Sequence, residues 1–207
     1  MKKTLLLLII LSLSACFPHK PGLRLAHHDA LSPDIGEKAP EFELIDLEGN
    51  PLHLTDLLGE KPLIIQIGSH TCPVYRYRRW DMKKLHREYG DRVNFLVIYT
   101  LEAHPVNAIN PYIDSEWVSS INYLTNTIVH KHHSQEERIQ QAIRSKELLK
   151  IPYMMAVDSM DNRTWKAYGR APSTAFVLDK NGQVALKQVW VNPNAMRPII
   201  ERLLKDN

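Results

Sequence analysis

Residues 62–75 read Pro62-Leu63-Ile64-Ile65-Gln66-Ile67-Gly68-Ser69-His70-Thr71-Cys72-Pro73-Val74-Tyr75. Leu63 to Ile67 has the unbroken apolar character of a strand covered on both faces. Pro73 suits the first position of a following helix, where its missing N–H costs nothing. Cys72 thus stands at a helix N-terminus, where free amide donors and the positive dipole end favour thiolate over thiol. Its polar neighbours Ser69, His70 and Thr71 argue against an inert buried sulfur, and the stretch predicts an exposed, acidified and reactive cysteine.

The flanking sequence extends this unit. After Cys72 comes a predicted helix of about eighteen residues, with Val74, Tyr77, Trp80, Leu85 and Tyr89 as its inward stripe. Arg76, Arg78, Arg79, Lys83 and Lys84 face out, and Gly90 ends it. Asn94 to Tyr99 is a second strand with an almost continuous apolar run, so strand, helix and strand form a parallel crossover. Upstream, Phe42 to Leu47 and Leu52 to Leu54 flank a turn and predict a hairpin, followed by a short helix capped by Thr55. Leu101 to Ser134 is polar and Asn-rich, and its length marks an insertion that is functional or carries small elements of its own. A helix over Glu136 to Leu149 and a strand over Met154 to Val157 follow, then a short helix with Trp165 and Tyr168 in the core. Two strands flank Asp179-Lys180-Asn181-Gly182, with Asn-Gly supplying left-handed residues, and a helix after Pro193 ends the chain.

The 207 residues suit one compact α/β domain. Met1-Lys2-Lys3, the apolar run Leu5 to Leu13, and Leu13-Ser14-Ala15-Cys16 resemble a bacterial lipoprotein signal. The resemblance implies export, cleavage before Cys16 and a lipid on its sulfur, with residues 1–15 removed, 16–34 a flexible tether whose histidines are solvated, and 35–207 the domain. Phe17, where an inner-membrane retention signal would carry Asp, favours the outer membrane. The 26 basic residues include Lys2 and Lys3, so the mature chain balances 24 against 23 acidic residues and offers no nucleic-acid surface. With Cys16 lipidated, Cys72 has no partner in the chain, and a structural disulfide is not expected.

Ala171-Pro172 immediately before a strand hairpin, together with a cysteine at the start of a crossover helix, resembles the thioredoxin-like fold: a central mixed sheet flanked by helices. That resemblance implies a cis proline at Pro172 lying against the sulfur, where it and Ala171 meet the substrate. Gly68 to Pro73, Phe95 to Tyr99, Glu102-Ala103-His104-Pro105, Glu136-Glu137-Arg138, Val157 to Asn162 and Ala167-Tyr168-Gly169, in that order, look like the iodothyronine deiodinase family from about Gly36 onward. The family implies Cys72 as the nucleophile, in the place of selenocysteine, His104 as proton donor or substrate guide, and Glu102 as its orienting neighbour. His70 replaces the assisting cysteine of some members, so no cofactor is implied and the reductant is an external thiol.

His70 can pair with the thiolate or remain a surface histidine. Ser69 and Thr71 are candidate substrate contacts; Ser69 matches the peroxide-binding hydroxyl of peroxiredoxins, although Ile65 replaces the proline of that motif. Of His130, His132 and His133, two histidines two apart can bind one metal, but only Glu136 and Glu137 could join them as further ligands, and a solvated, substrate-facing loop with no metal is the favoured expectation. The reading is a membrane-anchored thiol oxidoreductase whose substrate is a small-molecule oxidant or a halogenated aromatic. An iodothyronine-type deiodinase and a non-catalytic thioredoxin-fold binding module in the cell envelope are the alternatives.

Overall fold

The computed structural model describes residues 28–205; the signal, Cys16 and most of the expected tether lie outside them. A short helix α1 (His28–Leu31) precedes the hairpin β1 (Glu43–Asp46) and β2 (Pro51–His53). The central unit is β3 (Leu63–Gly68), α2 (Pro73–Tyr89) and β4 (Asn94–Tyr99). Within the insertion lies α3 (Ser120–Leu124), followed by α4 (Gln135–Leu149), β5 (Met154–Val157) and α5 (Arg163–Ala167). The hairpin β6 (Ser173–Leu178) and β7 (Val184–Gln188) leads into α6 (Pro193–Lys205).

The strands form one mixed sheet in the order β2-β1-β5-β4-β3-β6-β7. β3 pairs parallel with β4, and β4 with β5, while the other neighbours are antiparallel. Every residue of β3 is buried, as its apolar run requires of a central strand covered on both faces. Gly68 at its end faces Ser173 across the antiparallel pair with β6, which brings Ala171-Pro172 alongside the loop carrying Cys72. Among the described residues no helix is long and apolar enough to cross a membrane.

Several expectations are corrected. The expected flexible tether ends earlier than residue 34, because residues 28–34 pack on the domain: His28 is only 1% exposed and its Nε2 lies 2.9 Å from Thr174 Oγ1. Gly169, at φ +92°, leaves room for that ring, which a Cβ there would meet at 2.5 Å. Lys187 ties the same segment down through Asp34 at 2.7 Å. Such contacts are between single residues far apart in sequence and leave no periodic trace. The short helix after β2 is a 3-10 turn over Leu54–Leu57 capped at His53, whose N–H donates to Asp56, rather than at Thr55. In the β6–β7 turn only Gly182 is left-handed; the Asp179 carboxylate accepts from the N–H groups of Asn181 and Gln183 and shapes the rest.

The inward face of α2 is Tyr75, Met82, Leu85 and Tyr89, whereas Tyr77 and Trp80 are 69% and 59% exposed. Large aromatics misled the periodicity, because Trp80 is stacked under the cations of Arg79 and Lys83 and keeps its place at the surface. Arg76 points inward. The Ala171–Pro172 peptide is trans, since no described peptide bond is cis.

Gly68 positions the site at the β3–α2 junction, for a Cβ there would lie 2.4 Å from the Tyr75 ring. Gly68→Ala therefore forces Tyr75 off its seat at the start of α2. It should cost about 1–3 kcal/mol in urea denaturation, and an unchanged midpoint would contradict this packing.

Candidate active site

Cys72 is the N-cap of α2, and its N–H donates to Ser69 O at 3.2 Å. The sulfur is not the exposed, acidified group that the sequence suggests: Cys72 is 2% exposed, and burial pushes its thiol up to about 11. The N–H groups of Tyr75 and Val74 and the Arg76 cation pull the other way, and the Glu102 charge adds to the rise. Loss of solvation outweighs the helix terminus because a thiolate sealed from water forfeits more than two amide donors return.

Glu102 is the hub. Its Oε2 accepts from Thr71 N at 2.8 Å and from Thr71 Oγ1 at 2.6 Å, and its Oε1 accepts from the Tyr99 hydroxyl. Tyr99 Oη in turn accepts from His70 N at 3.1 Å. The loop after β3 is thereby zipped to the loop after β4, and two more bonds complete the seam. Ala103 N donates to Ser69 Oγ at 3.0 Å, and His104 N to Thr71 Oγ1 at 2.9 Å. The hydroxyls of Ser69 and Thr71, expected to meet substrate, are thus spent on backbone geometry. Burial raises the Glu102 carboxyl against the lowering effect of its Thr71 and Tyr99 donors.

Neither imidazole bonds the sulfur. His70 Nδ1 lies 3.1 Å from Ser145 Oγ on α4, and burial with the nearby Arg76 and Arg144 cations brings its pKa down to about 4. A neutral ring turned to α4 does not make a thiolate–imidazolium pair. His104 is held by Asn110, whose Oδ1 accepts from Tyr112 N and whose Nδ2 faces His104 Nδ1 at 3.3 Å. That orientation leaves the other ring nitrogen protonated, with a hydrogen bond to the Trp117 backbone, while the Trp117 ring packs edge-on at 4.3 Å. Burial lowers His104 to about 4 as well. Ala171 and Pro172 are buried beside the cysteine loop, and Ala171 O accepts from Trp165 Nε1 at 3.3 Å.

The sequence missed several residues that build this site. Arg76 donates to His70 O and to Asn122 Oδ1, both at 2.8 Å, and Asn122 Nδ2 donates to Thr71 O at 2.8 Å. Asn110 and Asn122 are wholly buried; Asn122 fastens the insertion to the cysteine loop, and Asn110 folds the insertion back on itself through Ala103, His104 and Tyr112. Its Asn-rich composition was the available signal, since buried amides are well suited to satisfying loop backbone. Of the three clustered histidines, His130 and His133 are exposed, but His132 is buried with Nε2 3.8 Å from Glu102 Oε1. Among the described residues no cluster of three or more candidate ligands could hold a metal.

A family model described as iodothyronine deiodinase matches residues 23–195. The chain belongs to that family. It is 30% identical to type I iodothyronine deiodinase of Xenopus laevis over 155 residues, 74% of this chain and 56% of that protein. Against thyroxine 5-deiodinase of Gallus gallus it is 32% identical over 152 residues, 72% of this chain and 54% of that one. The chain therefore spans little more than half the length of these relatives. An uncharacterized conserved protein from Geobacillus kaustophilus superposes with a TM-score of 0.61 at 17% identity, covering 84% of both chains. The thioredoxin domain of a thiol-disulfide oxidoreductase from Bacteroides vulgatus gives 0.57 at 14% identity, over 81% of this chain and 99% of that one. At such identities the match is one of fold, and the fold is thioredoxin-like.

Because the sulfur is sealed and its pKa lies near 11, iodoacetamide should label Cys72 far more slowly in the folded chain than in urea. Raising the pH increases the thiolate fraction, so the rate should climb through pH 9 and onward toward 11. A plateau below pH 9 would mark an accessible thiol of ordinary acidity.

Proposed function

We propose that this protein is a thiol-dependent oxidoreductase of deiodinase type, in which Cys72 takes halogen from an aromatic ring and an external thiol restores it. The observation that carries the reading is a lone described cysteine at the β3–α2 junction of a deiodinase-family chain, next to a buried carboxylate network. In the first step the Cys72 thiolate attacks iodine. The C–I bond breaks, its electron pair stays on the ring carbon and takes up a proton, and an S–I bond forms. A reducing thiol then displaces iodide to give a mixed disulfide, and a second releases Cys72 as the thiol together with the oxidised reductant.

The residues divide this work. Val74 and Tyr75 N–H groups face the developing thiolate. The buried Glu102 carboxylate takes up the thiol proton and returns it to the leaving carbon, which closes the proton balance, and the neutral His104 ring, held by Asn110 and Trp117, guides the substrate. The insertion has to lift before substrate reaches the sulfur, and the Asn122 contacts with Thr71 and Arg76 are what it breaks. Halogen transfer is preferred to peroxide reduction because Ser69, whose hydroxyl would hold a peroxide, is buried under the loop after β4 and bonded to Ala103 N. The second reading, a binding module with a disused thiol, is favoured by the burial of Cys72. In either reading Cys16 carries a lipid that holds the chain on a membrane, outer membrane favoured, supported by Leu13-Ser14-Ala15-Cys16.

The test sets an iodophenol and hydrogen peroxide side by side, each with dithiothreitol. Iodide release that falls by about two orders of magnitude or more in Cys72→Ser, with peroxide consumption unchanged, is the expected result. Peroxide consumption alone depending on Cys72 would favour the redox reaction, and dependence of neither would favour the module. For the anchor, Cys16→Ala should move the chain from the membrane fraction to the soluble one; membrane retention by that variant would refute lipidation at Cys16.

A further inference from the structure

The outward pole of α2 carries side chains that the proposed reaction does not use. Tyr77 and Trp80 stand exposed there, and Leu148, in the last turn of α4, is 60% exposed on the neighbouring helix. Lys83 Nζ joins the two helices by donating to Leu149 O at 3.5 Å. Four cations surround this apolar group: Arg79, Lys83, Arg87 and Lys150. The Arg79 guanidinium and the Lys83 ammonium lie 4.6 and 4.2 Å from the Trp80 ring centre. Loss of solvation and the charges of Arg79, Lys150 and Arg87 lower the Lys83 pKa, so like charges are crowded in one place.

None of the four has a carboxylate within ion-pair distance among the described residues. The acids of α2 are turned elsewhere, Asp81 to Arg78 and Glu88 to Arg197 on α6. Helix C-termini attract cations, which explains Arg87 in the last turn of α2 and Lys150 after α4. It does not explain Arg79, or two large aromatic rings kept in water at mid-helix. Crowded cations and exposed apolar side chains are both relieved by a surface that sets anions over an apolar layer. Tryptophan and tyrosine at headgroup level, with lysine and arginine reaching phosphates, is how interfacial helices meet a bilayer.

We infer that this face of α2, with the end of α4, docks on the surface of an anionic phospholipid bilayer. The choice of a bilayer over an acidic protein rests on the reading of Cys16 as a lipid anchor. Residues 17–27 span at most about 40 Å when extended, which confines the domain beside the membrane. A tethered domain meets that surface at high effective concentration, so a modest attraction suffices to orient it.

The experiment uses the full chain with Cys16→Ala, so that no acyl chain contributes. It is mixed with vesicles of phosphatidylglycerol and phosphatidylethanolamine, or of phosphatidylcholine alone, and its lysines are acetylated and read by mass spectrometry. The anionic vesicles should protect Lys83, Lys150 and the exposed Lys84 several-fold, and leave the exposed Lys38 in the loop before β1 unprotected. In Arg79→Gln with Arg87→Gln, and in Trp80→Ser, protection should need roughly tenfold more lipid at an unchanged melting temperature. Equal protection by phosphatidylcholine, no protection of Lys84 and Lys150, or variants that behave as the parent does would each overturn the inference. Protection by polyglutamate but not by the anionic vesicles would also overturn it and assign the face to an acidic protein. With the acyl chain absent, the result stands whether or not Cys16 is lipidated.

Discussion

The carboxylate of Glu102 is the constraint on which the site depends. It is buried among three donors, two from Thr71 in the loop after β3 and one from Tyr99 at the end of β4, while Glu102 itself stands in the loop after β4. In a parallel sheet the strand ends present their loops side by side, and something must hold them together without a covalent link. Bonds to a buried charged acceptor are among the stronger available, on the order of 1.5–3 kcal/mol each. Cys72 is one residue from Thr71, so the position of the sulfur follows from where this carboxylate sits.

That arrangement also explains why the thiol is quiet in the closed form. The insertion is bound to the cysteine loop through Asn122 and folds back on itself through Asn110, excluding water from the sulfur, and the nearby Glu102 charge opposes a second anion. A thiol held in this way is protected from stray oxidants. In the proposed reaction it becomes a nucleophile once the insertion is displaced and a substrate brings its own electrophile.

Much of the fold was legible because its central elements obey strong periodic rules. β3 and β4 are unbroken apolar runs, Pro73 and Gly90 bracket α2, and Gly182 marks the last hairpin. The order of these elements, with Cys72 at the crossover, was enough for a thioredoxin-like fold. The face of α2 was not legible, because Trp80 earns its exposed place through stacking with Arg79 and Lys83, which hydrophobicity alone does not register. The docking of His28 against Thr174 escaped for the same reason, being a contact across most of the chain.

At the site, residue types were legible and their geometry was not. Cys72, Glu102 and His104 could be singled out by spacing and resemblance, but their burial could not, since no local pattern reports what a distant insertion covers. His132 is the clearest case: among polar residues it looks solvated, yet it is buried facing Glu102. The central claim is that Cys72 is the sulfur oxidised during turnover. It is tested most directly by mass spectrometry of the chain quenched after one turnover with an iodophenol and glutathione. The account predicts a glutathione adduct on Cys72 that appears only when the iodophenol is present; iodide release with Cys72 unmodified would contradict it.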